Sequence, residues 1–195
     1  MAERAASTKR FVLPGALIAT LALCAMLAWM IADRARILRQ GQEVVLRTAP
    51  VDPRDLLRGR YVRLGYEAAS IEGPALDPLR AALEGVDAQR DLTVYVSVEA
   101  GPDGVFEPVR VSLEPPPGGV FLRGTANYAS AQTVNLSVDY GIDRFYTNEH
   151  RAPELETNMR DGQLTEVVLA VDATGTAQIK ALRQGGEVIV TEPLY

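Results

Sequence analysis

Arg54 and Arg58 stand close to Asp52 and Asp55 in the segment Pro50-Val-Asp52-Pro53-Arg54-Asp55-Leu-Leu-Arg58-Gly59. A guanidinium fork can take a carboxylate through two parallel hydrogen bonds, so the segment could bind an acidic ligand. The same four side chains can equally pair with one another and pin a loop. Asp52, Asp55 and Glu156 offer the other chemistry, acid–base work by carboxylates whose pKa values a pocket has raised. Immediately downstream, Gly59, Tyr61, Leu64 and Tyr66 have the spacing G-x-Y-x-x-L-x-Y. Five residues separate the two tyrosines, which puts them on opposite faces of a strand. One can pack in a core with its hydroxyl satisfied while the other meets solvent or a partner.

Other reactive groupings are thin. A serine–lysine peptidase dyad on this loop would need a Ser eight residues before Gly59, where Val51 stands, and the only lysine after the first 40 residues is the distant Lys180. His150 is the only histidine, with Glu149, Glu154 and Glu156 nearby. These carboxylates form no ordered calcium loop, and a solvated acidic loop accounts for them as well. Cys24 is the single cysteine, so no intramolecular disulfide and no cysteine-based zinc site can form. Asp139, Asp143 and Glu149 lie around Tyr140, Phe145 and Tyr146 and make an aromatic and acidic run. Aromatics concentrate interface energy, so the run can be a docking edge; core aromatics flanked by exposed acids fit equally. No nucleotide-binding glycine motif occurs, and no cofactor is expected.

These groups need something to hold them, and the chain begins with an anchor. Phe11 to Ala32 runs 22 residues without a charge. As a helix it spans about 33 Å, enough for a hydrocarbon core. Pro14 falls in its first turn, where a missing amide proton costs nothing, and Trp29 lies near the far end, where headgroups suit an amphipathic ring. A cleaved signal would have a shorter apolar core, about 7–15 residues. Leu23 before Cys24 is not the small residue that lipoprotein processing requires. Basic residues flank both ends, Arg4, Lys9 and Arg10 against Arg34, Arg36 and Arg39. The expected orientation has the short tail in the cytoplasm and the long body exported.

The first 40 residues carry six basic and two acidic side chains, the remainder 14 and 23. An acidic body argues against nucleic-acid binding, which needs clustered Lys and Arg. Hydropathy alternation and turn residues predict a mainly β body. Strands are expected at 43–48, 61–69, 92–98, 105–113, 120–126, 133–140, 165–172, 177–183 and 187–192. One short helix is expected at 77–85, with Asp77 as its cap, and a second at 154–160. Short links favour antiparallel pairing, in a sandwich or partly open barrel preceded by the transmembrane helix. The expected organisation is a tail over 1–10, a signal anchor over 11–32, a juxtamembrane segment over 33–42 and the β-rich domain over 43–195. A faint internal echo sets Leu57-Arg58-Gly59 before Leu64 and Tyr66 against Leu122-Arg123-Gly124 before Leu136 and Tyr140.

With these residues in view, the chain resembles the GDYXXLXY family, uncharacterised bacterial membrane-anchored proteins named after their motif. The lead-in 50–59, the segment Tyr140-Gly141-Ile-Asp-Arg-Phe-Tyr146 with Glu149 and Glu154-Leu-Glu156, and 167–182 with Gly175 follow in that family's order. The resemblance implies a β-rich fold and companionship with polytopic membrane proteins. Arg60 stands where the family name has Asp, so any acid chemistry at that position in relatives is missing here. The resulting expectation is a single-pass protein of the cytoplasmic membrane with a periplasmic body. It acts as a non-enzymatic accessory or interaction subunit through loop 50–61 and segment 140–156. The alternative is a membrane-tethered carboxylate hydrolase or a small-ligand-binding domain.

Overall fold

Leu, Ala, Ile and Met dominate the apolar run, and all propagate a helix well. In the computed structural model, which describes residues 3–49, 61–146 and 165–192, that run lies inside one long helix, α1 (Glu3–Gln40). Among the described residues α1 alone is long and apolar enough to cross a membrane. Trp29 is exposed on it. The chain divides into two compact units, residues 1–36 and the body from Ile37.

The body starts with the last turn of α1. Gly41 stops the helix and donates its N–H to Ile37 O at 2.8 Å. A Cβ there would lie 2.6 Å from that carbonyl oxygen and 2.9 Å from Val171 N, so only glycine lets the chain turn directly into β1 (Gln42–Ala49). Ile37 and Leu38 are buried together with Ala170.

Antiparallel strands follow, as the short glycine-bearing links require. One five-stranded sheet has the order β12 (Glu187–Thr191), β11 (Ala177–Gln184), β10 (Thr165–Val171), β1, β3 (Gly65–Tyr66). The other has β4 (Ser70–Glu72), β8 (Asn135–Asp139), β7 (Val120–Ala129), β5 (Gln89–Ala100), β6 (Phe106–Ser112). Val44, Leu46, Val167, Leu169 and Ile179 from the first and Val94, Val96, Leu122, Leu136 and Val138 from the second belong to one buried cluster. Each fully buried Val or Leu contributes about 1.5–3 kcal/mol, so this shared interior holds the sandwich together. Val167 to Val171 are all buried; Ala170 packs with Ile37 and Leu38, while Val167, Leu169 and Val171 join the shared interior. Pro108 lies on β6, an edge strand, where its missing donor disrupts no ladder.

Among the described residues, Arg123 and Arg47 tie the sheets together. The Arg123 N–H at the start of β7 donates to Gly175 O in the β10–β11 turn at 2.8 Å. Arg47 on β1 pairs with Asp103 in the β5–β6 turn. Gly175 is required twice over. Its φ is +80°, and an added Cβ would meet the Phe121 ring at 2.8 Å.

The structure refines several sequence expectations. The run 61–69 is not one strand: it breaks into β2 (Tyr61–Arg63), β3 and a 3₁₀ turn Glu67–Ala69. Leu64 interrupts it by donating its N–H away, to Asp143 O at 2.8 Å. The helix α2 (Asp77–Ala82) emerges from a 3₁₀ turn Gly73–Leu76, so Asp77 is not its cap; its side chain instead pairs with Arg80 at 2.8 Å. A further short strand, β9 (Arg144–Tyr146), was not expected from the sequence. The helix expected at 154–160 lies outside the described residues.

Candidate functional site

The motif strand and the Tyr140 segment, more than 70 residues apart in sequence, meet in space. β2 and β9 form a two-stranded antiparallel ribbon separate from both large sheets, with Tyr61 opposite Tyr146, Val62 opposite Phe145 and Arg63 opposite Arg144. The Leu64 N–H bond to Asp143 O extends this pairing by one residue. Leu64 and Phe145 are both buried.

Beyond the ribbon the two tyrosines take over. The Tyr66 hydroxyl donates to Ile142 O at 2.6 Å, and the Tyr140 hydroxyl donates to Ala68 O at 2.7 Å. Each phenol therefore reaches the carbonyl two residues past the other tyrosine. The result is a clasp with approximate twofold exchange, closed by backbone bonds at one end and by two crossed phenols at the other. Gly141 makes the bend between them at φ +71°, and its N–H donates to Asp139 Oδ1 at 2.8 Å.

The electrostatics suit a purely structural pair. Burial pushes the Tyr66 hydroxyl far above the usual phenol range, helped by the negative charge of Asp143. Burial alone does the same for Tyr140. Both phenols therefore stay protonated as donors at physiological pH, and neither is poised as a base or nucleophile. Asp143 lies 3.6 Å from Arg144. Asp139 and Asp143 of the aromatic run thus lie at the surface of an interior built from Tyr140, Ile142 and Phe145.

Of the residues singled out in the sequence, the structure joins Leu64, Tyr66, Tyr140 and Gly141 in the clasp and places the Tyr61 backbone in the ribbon. Asp52, Pro53, Arg54, Asp55, Arg58, Gly59, Glu149, His150 and Glu156 lie outside the described residues. Lys180 pairs with Glu43. Among the described residues no three His, Cys, Asp or Glu side chains come together as a metal site. Sequence reasoning missed Gly124, whose bare Cα leaves room for the Tyr140 ring. The recurrence of Leu-Arg-Gly before a leucine and a tyrosine, at 57–66 and 122–140, was the available signal. It marked the two tyrosines that the fold sets against each other.

A family model for the GDYXXLXY proteins matches residues 23–182, a span that includes both halves of the clasp. Comparison with curated proteins and with solved structures finds no match.

Proposed function

The chain belongs to the GDYXXLXY family, and on that premise we propose that it is a membrane-anchored, non-enzymatic interaction subunit whose docking element is the β2–β9 ribbon. The observation that carries this reading is the division of labour within the motif. Leu64 and Tyr66 are buried and serve the clasp, while the ribbon they secure belongs to neither five-stranded sheet. The clasp thus fixes a short element outside both large sheets, as recognition surfaces on rigid scaffolds require.

In this reading α1 is a single-pass anchor in the cytoplasmic membrane, the basic tail stays inside and the body is periplasmic. The partner is a polytopic membrane protein. Protease added to spheroplasts then digests the body without lysis; a body protected until lysis refutes the orientation.

The docking claim is tested by mild crosslinking of native membranes, affinity purification of the chain and mass spectrometry. Wild type is expected to recover a stoichiometric membrane partner. Tyr61→Ala should lose it while the body keeps its native circular dichroism. Recovery of no specific partner, or loss only in variants that unfold, overturns the reading.

A further inference from the structure

The outer face of the second sheet carries polar side chains outside the core, and the clasp residues Tyr140 and Gly141 close one end of it. Along β5, β7 and β8 these side chains surround an open groove of about 510 Å³. Small-molecule clefts occupy roughly 300–1,000 Å³. Strand register sets its lattice. Thr93, Thr125 and Asp139 stand directly opposite one another across three strands, and Tyr95 stands opposite Arg123 two residues along. Cross-strand neighbours of this kind are roughly 5 Å apart, so the groups form one contiguous polar surface.

Several of these groups are pre-positioned. Arg123 donates from its backbone to Gly175 O at 2.8 Å and from Nη2 to Thr176 Oγ1 at 3.2 Å. Asp139 accepts the Gly141 N–H on Oδ1, which leaves its other oxygen for a further donor. Tyr95 meets Phe121 edge-on, ring centroids 5.8 Å apart and planes at 68°. Gly141 contributes no side chain, so that wall of the groove stays low.

We infer that this groove binds a neutral sugar ring of a glycan. A sugar presents vicinal hydroxyls that both donate and accept, which suits a carboxylate acceptor, a guanidinium donor and two threonine hydroxyls in adjoining rows. Its apolar ring face suits Tyr95. Other ligand classes fit less well. β8, β7 and β5 are the three interior strands of their sheet, with their backbone groups already paired, so a peptide cannot add as a strand. Nucleic acid and acidic sugars meet Asp139 beside the one arginine, on a body with 14 basic and 23 acidic residues after position 40. The groove shares Tyr140 and Gly141 with the clasp but takes no side chain from the ribbon strands, so sugar binding is read separately from partner docking.

The test uses the full chain in lipid nanodiscs, because sugar-headed detergents would compete. Saturation-transfer NMR is recorded with chitotetraose, maltotetraose and cellotetraose, and with trigalacturonate as the acidic contrast. At least one neutral oligosaccharide is expected to show transfer. Thr125→Val and Asp139→Asn should each weaken it about tenfold or more, as loss of a hydrogen bond to or beside a charged group does. Circular dichroism should stay native in both variants. Absence of transfer from all three neutral probes overturns the inference. So does preference for trigalacturonate, or binding that both variants retain.

Discussion

Tyr66 and Tyr140 exchange hydrogen bonds with each other's neighbours, and the geometry makes them non-equivalent to ordinary core aromatics. Replacing either by Phe removes one donor and leaves a carbonyl unsatisfied in the interior. Tyr66→Phe and Tyr140→Phe are each expected to cost about 1–3 kcal/mol in urea denaturation. The double variant should differ from the sum of the two, because both bonds close one clasp. Their titration gives a second expectation. In the unfolded chain both phenols ionise near the ordinary value of about 10. In the folded chain both are raised, so above that pH the unfolded state releases protons that the native state keeps. Stability contributed by these groups is therefore intact below about pH 10 and falls as pH rises, by about 1.4 kcal/mol per pH unit per tyrosine. Denaturation midpoints compared at pH 8 and pH 11 check this, and the double Phe variant should lose that part of the slope. The motif spacing allowed one of Tyr61 and Tyr66 to be interior, and the aromatic run left Tyr140 between core packing and a docking edge. Neither showed that both Tyr66 and Tyr140 would be interior, because a hydroxyl's partner 76 residues away leaves no periodic trace.

Strands rich in Val, Leu and Ile and bounded by turn residues were legible from the sequence, and β1, β5, β10 and β11 lie where they were expected; strict alternation holds over Leu92, Val94, Val96 and Val98 of β5. The ribbon was harder. β9 spans only Arg144–Tyr146, too short for a period to register. The strand expected over 61–69 broke because Leu64 serves the ribbon rather than the sheet, a tertiary demand that overrides local pattern. The β7–β8 junction depends on another feature invisible to propensity. A Cβ on Gly124 would strike the Val138 side chain and approach Asp139 O to 2.9 Å and the Tyr140 ring to 3.0 Å. Gly124→Ala is accordingly expected to destabilise the body by about 1–3 kcal/mol or more through overpacking, read by thermal denaturation. It should also displace Tyr140 from its bond to Ala68, seen as faster amide exchange across residues 64–68. An unchanged exchange pattern there would mean that β8 accommodates the methyl without the clasp noticing.

The molecule as a whole was legible as an apolar helix followed by a β-rich body, because a 22-residue uncharged run and nine apolar segments bounded by turn residues need no tertiary information. Sheet order and the part played by the helix end were not, since they depend on which faces meet. Leu38 is buried against the body with Ile37 and Ala170, although it belongs to the same helix as the apolar run. Leu38→Ala should therefore lower body stability by about 2–5 kcal/mol. Resistance of the chain to carbonate extraction from membranes should be unchanged. Loss of both together would mean that Leu38 serves insertion rather than the body. Trp29 has a practical consequence of a different kind. It is the only tryptophan, it is exposed on α1, and all seven tyrosines follow residue 60. Long-wavelength excitation thus illuminates the helix alone, while the body is visible only through tyrosine absorption. The chain carries two separate optical channels, one reporting the medium around the helix and the other the unfolding of the sandwich, and a single sample can follow both without a label.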